Sequence, residues 1–186
     1  MLKKSILMIL LFLPVTCWAF IKPVRILAPE WNGLSCVTAN ICVEDKARFT
    51  KANELYVDAL NYVNSKIDQI DRSPRVLFCK TEKCFRSFGF KSPAKAKAIG
   101  VFAIIVGPKG WKDYIIRHEI IHHLQTERLG TISQMAVDEW FTEGMAYSMS
   151  EDPRELNEKW SRDRKQFELW YASIERSELW EKAKKL

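Results

Sequence analysis

The 186-residue chain has little glycine, little proline and only three histidines. Seven Gly and seven Pro exclude a collagen-like or linker-type chain, which needs those residues in bulk. Charge of one sign is scarce too. The formal net charge is +6 with 28% charged residues, which permits contact with acidic surfaces but does not mark a nucleic-acid binder. Internal repeats and low-complexity linkers are lacking. After the amino-terminal segment there is no second long apolar run, hence no further membrane-span candidate. What the chain does have is apolar and aromatic bulk. It is 47% hydrophobic, with seven Trp, five Tyr and ten Phe, enough to repay the entropy of ordering and to exclude disorder. This length predicts one domain with a real core rather than two large ones.

Lys3 and Lys4 open the chain, residues 5–13 are apolar, and Pro14 precedes Cys17 and Ala19. That layout predicts a secretory signal peptide over 1–19, cut between Ala19 and Phe20, and a single domain over 20–186. The alternative is an uncleaved anchor, since 5–21 carries no charge, although the run is short of the about 20 apolar residues a spanning helix needs. A lipoprotein reading of Cys17 fits poorly with Pro14 and Thr16. Cleavage removes Lys3 and Lys4 and lowers +6 by 2 to +4. The expected location is a bacterial periplasm or the medium. Four cysteines then remain, Cys36, Cys42, Cys79 and Cys84. An even number in an exported chain predicts two disulfides. Of the possible connectivities the local ones, Cys36–Cys42 and Cys79–Cys84, are favoured because each pair brackets a short loop. Buried free thiols are the alternative. A zinc ribbon is disfavoured because neither pair has knuckle spacing.

Residues 20–42, with Pro23, Pro29 and Gly33, read as irregular. Leu55, Ala59, Tyr62, Val63 and Ile67 recur at helical spacing and predict a helix over 44–70. Residues 75–78 read as a short strand, 91–97 as a basic loop, and 98–106 as one apolar β-rich run stopped by Gly107 and Pro108. Further helices are predicted over 111–129, ended by Gly130, and over 137–150. The tail over 154–184 reads as helical. Its stripe of Leu156, Trp160, Phe167, Trp170, Tyr171 and Ile174 is read as core packing, and the Lys and Arg between as a solvated face rather than a nucleic-acid site.

The chemistry concentrates in Arg117-His118-Glu119-Ile120-Ile121-His122-His123. His118 and His122 are one helical turn apart on one face, and two such nitrogens can bind one Zn²⁺. Glu119 adjoins the first ligand and can act as general base. With three His and fifteen Glu, chance alone would place this pattern about 0.004 times in such a chain, so the match is specific. Ile115, Ile116, Ile120, Ile121 and Leu124 around it predict a buried helix. A catalytic zinc needs a third protein ligand and an open position. With no fourth His, a carboxylate must supply it. The candidate is Glu143, with Glu127, Asp138 and Glu139 as alternatives. The separation of His122 from Glu143 allows a turn and a returning helix, and Gly144 would let the two helices approach closely.

His118-Glu119-Ile120-Ile121-His122 followed by Trp140-x-x-Glu143-Gly144-x-Ala146 resembles the gluzincin metallopeptidases. The second motif looks most like that of the aminopeptidase-N-like branch. The resemblance covers 98–150, about a third of the chain. It implies His118, His122 and Glu143 as ligands of one zinc and Glu119 as catalytic base. It also implies residues 99–106 as an edge strand to which a peptide substrate adds. Two departures stand out. The branch's amino-terminus-gripping acid has no counterpart over 100–104, which favours an endopeptidase over an aminopeptidase. Where thermolysin-like enzymes have a histidine-orienting Asp, this chain has Tyr147, so Glu139 or Asp138 is the candidate acceptor. His123, Tyr147 and Tyr171 are candidates for stabilising the oxyanion.

The expectation is therefore an α+β, compact zincin-like domain: a small sheet with an edge strand over an active-site helix, and a helical carboxy-terminal part. The expected protein is a monomeric zinc peptidase acting on a peptide or protein, with no nucleic-acid partner and no membrane span in the mature chain. The alternatives are a non-enzymatic domain that keeps zinc for stability and an amidase acting on a non-peptide or cell-wall amide.

Overall fold

The computed structural model describes residues 22–90 and 94–186. The predicted signal peptide lies outside the described residues, as does the start of the basic loop. Three short apolar segments form the centre of a five-stranded sheet, because all their side chains are buried: β2 (Ile41–Val43), β3 (Val76–Phe78) and β5 (Ala103–Val106). They run parallel, in the register Ile41–Val76–Ile104. Runs buried on both faces are what parallel strands require. β1 (Ser35–Cys36) and β4 (Ala96–Ile99) flank them antiparallel, giving the order β1-β2-β3-β5-β4.

The two-residue period of a strand divides the core. Ile41, Val43, Val76, Phe78, Ile104 and Val106 face the main helices. Cys42, Leu77, Cys79, Ala103 and Ile105 face a smaller back layer built from Ile26, Leu34, Phe85 and Phe88. Both disulfides sit at that back layer. Cys36–Cys42 joins β1 to β2, and Cys79–Cys84 ties the end of β3 to the helix α2 (Glu82–Ser87). The favoured local pairing is the one observed, and two disulfides fit an oxidising compartment.

The predicted apolar run over 98–106 is not one strand. Gly100 takes φ +50°, and Phe102 N–H donates to the Ile99 carbonyl at 3.0 Å, so the run folds into a hairpin. Its second half enters the sheet interior as β5. The edge is formed by Ala96–Ile99, shifted toward the amino terminus from the expected 99–106. Residues 20–42 are also more ordered than expected, with 3-10 turns at Lys22–Leu27 and Pro29–Asn32.

Two long helices cover the main face. α1 (Phe49–Lys66) buries Ala52, Leu55, Tyr56, Ala59 and Val63. α3 (Asp113–Leu129) buries Ile115, Ile116, Ile120, Ile121 and Leu124. Arg117 fastens α3 to α1: it pairs with Asp58 at 2.9 Å and lies over the Tyr62 ring at 4.2 Å. Gly130 ends α3, and the short α4 (Thr131–Ala136) leads into α5 (Glu139–Met149). The tail forms α6 (Glu158–Tyr171) and α7 (Leu179–Ala183). Among the described residues no helix is long and apolar enough to cross a membrane.

α6 lies along α5, where Phe141, Phe167 and Trp170 meet edge to face. The close approach expected at Gly144 is made here, against α6 rather than against α3. A Cβ on Gly144 would run into the Asp163 carbonyl oxygen and stand 2.9 Å from Phe167 Cβ. Since the obstacle is backbone, Gly144→Ala must push α6 outward. Overpacking of this kind costs about 1–3 kcal/mol, and thermal melting of the variant should fall by several degrees. An unchanged melt would show that α6 is free to move.

Candidate metal centre

The i, i+4 spacing on α3 turns both His118 and His122 toward α5, and their Nε2 atoms stand 3.1 Å apart. Glu143, on the second turn of α5, reaches across. Its Oε2 lies 3.4 Å from His118 Nε2 and its Oε1 3.5 Å from His122 Nε2. One donor atom from each of the three residues lies within 4.8 Å of the others, and the group could hold a metal ion. A second cluster, Glu44 with Cys79 and Cys84, has both sulfurs committed to a disulfide and offers no thiolate.

The donor set is prepared by a residue that spacing and motif did not single out. Gln125 is fully buried. Its Nε2 donates to the Thr142 carbonyl at 2.9 Å, and its Oε1 stands 2.9 Å from His122 Nδ1. A carbonyl accepts only, so the amide nitrogen must face Thr142 and the amide oxygen must face His122. His122 Nδ1 therefore carries the proton, and the Nε2 lone pair is left for a metal. The signal for Gln125 lay in its position: three residues past His122, it shares that face of α3.

Glu119 points the other way along the site. Its Oε2 accepts from the Ala98 backbone N–H of the edge strand at 2.6 Å, so it is anchored beside the donor group without belonging to it. Tyr147, one turn beyond Glu143, places its ring 4.6 Å from that of His118. The remaining candidates are elsewhere. His123 Nε2 meets the Arg72 carbonyl at 2.7 Å and Glu127 at 3.4 Å, on another face of α3. Tyr171 stacks on Phe167. Glu139 is exposed and pairs with Lys159. Asp138 accepts from Trp140 Nε1 at 3.2 Å, and Glu127 accepts from the Asp71 and Arg72 backbone N–H groups. Each is occupied by a local partner and is not brought to the donors.

The charges respond to this crowding. Burial tends to raise the Glu143 pKa, but hydrogen bonds and charge from His118 and His122 outweigh it and hold the carboxyl well below the usual carboxylate range. Burial likewise works to lower the His122 pKa, and Glu143 overcomes it, so the imidazole titrates above its ordinary value. Burial, reinforced by Glu143, pushes the Tyr147 phenol up to about 12, so it remains a hydrogen-bond donor at neutral pH.

The group lies where two open hollows meet along β4. One, about 320 Å³, is lined by residues 94–97 and by Tyr147, Arg154 and Trp160. The other, about 260 Å³, is lined by Ala98, Gly100, Thr126, Gln134 and Thr142. Trp160, expected in the core stripe, is thus a wall of the cleft. Comparison with protein-family models, curated proteins and solved structures finds no match to this chain.

Metal must displace any proton on the imidazoles. Because the His122 pKa is raised, metal affinity should fall with decreasing pH from above 6.5, earlier than for an ordinary imidazole. Calorimetric titration across that range should find one ion per chain at high pH, none with His118→Ala or His122→Ala, and strongly weakened binding with Glu143→Ala. Gln125→Ala should bind about 10–100-fold more weakly, the usual loss when a ligand's orienting partner is removed. Full affinity in Gln125→Ala would mean that the tautomer is set another way.

Proposed function

We propose that the chain is a zinc-dependent peptidase of zincin-like architecture, exported and acting on internal peptide bonds. The observation that carries this reading is the separation of roles on one helix. His118, His122 and Glu143 form a three-membered donor set, while Glu119 stands beside it, uncommitted to it, at an open cleft. A structural site would be closed by a fourth ligand and would need no base beside it. Two imidazoles and one carboxylate suit zinc, whereas calcium and magnesium favour all-oxygen sets. Gln125 fixes the Nδ1–H tautomer of His122, which directs Nε2 at the donor group, and the ionised Glu143 is the form such an ion requires.

When bound, zinc supplies a Lewis acid that polarises the scissile carbonyl and acidifies water. The chain's own residues do the rest. Glu119, steadied by Ala98 N–H, takes the proton of the attacking water. It then returns that proton to the amine nitrogen as the C–N bond breaks. The Tyr147 hydroxyl donates to the oxygen on which negative charge develops. β4 receives the substrate. Ala98 N–H faces the cleft, so strand alternation turns the Ala96 N–H and C=O and the Ala98 C=O to the same open side, where an extended peptide can pair. Among the described residues, Glu119 and Glu143 are the only carboxylates lining the two hollows. No further acid is there to grip a substrate's amino terminus, which favours internal cleavage.

Glu119→Gln keeps size and the hydrogen bond to the strand but removes the proton acceptor. It should retain metal content and melting temperature while cleavage of a quenched peptide library drops about 10²–10⁴-fold. Undiminished cleavage would remove Glu119 from the role of base. Blocking the peptides' amino termini should leave wild-type cleavage unchanged; loss on blocking would make the protein an aminopeptidase.

A further inference from the structure

The hollow at the residue 94–97 end of the cleft carries a fixed cation that the proposed chemistry leaves unused. Just after α5, Glu151 takes φ +56° and Pro153 follows, turning Arg154 back toward the site. Asp152, whose side chain has no exposure, then holds the guanidinium. Its Oδ1 accepts from both the Arg154 backbone N–H at 3.0 Å and Nε at 2.8 Å, and Oδ2 accepts from Nη2. The Tyr114 ring lies 5.2 Å beneath the same group. Among the described residues Nη1 donates to nothing. This is a planar fork held from behind with one edge free, the arrangement suited to a carboxylate.

A second cation shares the hollow. Lys95 is half-buried and lines the hollow with Arg154; burial, then the charge of Arg154, lowers its pKa against the opposing charge of Asp152. The acid that acts on Lys95 is Asp152, already paired with Arg154, while Glu119 and Glu143 line the same hollow nearer the donor group. Tyr147 and Trp160, with ring centroids 5.6 Å apart, wall the hollow and could cover an aliphatic stem. A hollow that presents a pre-set guanidinium and a lysine at the end away from Glu143, beside an aromatic wall, suits an anionic group on an apolar stalk.

We propose that this end of the cleft is a subsite for a carboxylate of the peptide substrate, held by Arg154 and Lys95 against Tyr147 and Trp160. The proposal rests on the peptidase reading for its substrate. Two sources share the chemistry: an acidic side chain near the scissile bond, and the peptide's terminal carboxylate.

The test uses zinc-loaded full-length protein and quenched peptides in which Glu, or Gln as its neutral counterpart, is moved along one scaffold, each with a free or amidated carboxy terminus. One position should favour Glu over Gln by about tenfold or more in kcat/KM, the scale of one charge-assisted hydrogen bond. If the terminal carboxylate is the occupant, amidation should cause the loss instead, wherever Glu stands. In either case Lys95→Glu should abolish the preference and Arg154→Lys should narrow it, while metal content and melting of Lys95→Glu stay as in the wild type. The same peptides bound to Glu119→Gln protein, followed by fluorescence anisotropy, read the subsite without turnover. Discrimination in binding with no cleavage anywhere keeps the subsite and sinks the peptidase. Cleavage with no discrimination against Gln or the amide, in rate or in binding, overturns the subsite and leaves the peptidase standing. Discrimination that survives both substitutions overturns the assignment to these residues.

Discussion

A buried amide links the two helices of the site. Gln125 leaves α3 and is met by the Thr142 carbonyl of α5 at 2.9 Å, and its other end meets His122. An amide taken out of water must find partners for both ends or cost several kcal/mol. The His122 end lies within α3, so the approach of α5 is tied to α3 through the Thr142 end. That approach brings Glu143, one residue after Thr142, opposite the two imidazoles. Thr126 and Gln134 extend the constraint. Thr126 Oγ1 and Gln134 Nε2 both donate to the His122 carbonyl, so the turn carrying the second ligand is held from its backbone as well as its ring.

That approach also depends on what lies behind α5. Phe141, Met145 and Ala146 are fully buried and press α5 onto the core, while α6 closes over Gly144. The absence of a side chain at residue 144 thus acts one layer away from the chemistry: it sets how near α6 lies. On the opposite side the edge strand is positioned by Ala98 N–H to Glu119. Glu119 is therefore coupled to the strand proposed to receive substrate, so a displacement of β4 would also displace the carboxylate.

Local chemistry was legible and long-range placement was only partly so. The i, i+4 histidines were readable because a helix converts spacing into direction over a single turn. Glu143 was favoured by its motif and its distance from His122, and the structure separates it from Glu127, Asp138 and Glu139 by showing their own partners. The hairpin at Gly100 was hidden because both of its arms are apolar: the edge strand pairs β5 on one side and β5 is buried on both faces, so the composition hardly changes across the turn. α2 and α4 are six residues each, too short for a period to register. Trp160 looked like core because an aromatic at helical spacing usually is. Gln125 and Arg154 are ordinary residues in ordinary positions, and only their partners mark them. The partner of Gly144 was misassigned for a related reason, since the glycine reveals that something is close but not which helix it is.

The electrostatics of the donor group also bear on which functional reading is preferred. Two Nε2 atoms at 3.1 Å and a carboxylate beside them would repel one another as bare lone pairs and negative charge. The raised His122 and depressed Glu143 pKa values indicate how the chain relieves this: a proton on the imidazole side serves the carboxylate, in a place that a metal ion could take. Nothing in the contact between α3 and α5 depends on the ion, because Gln125–Thr142 and the buried Phe141, Met145 and Ala146 hold the helices whichever cation is present. A domain that keeps zinc for stability would gather its ligands from segments lacking other support. Here the three donor residues stand on two packed helices of the core, which hold together without an ion. That leaves Glu119 and the cleft along β4 uncommitted to holding the fold together, which is the physical argument behind the proposed catalytic reading.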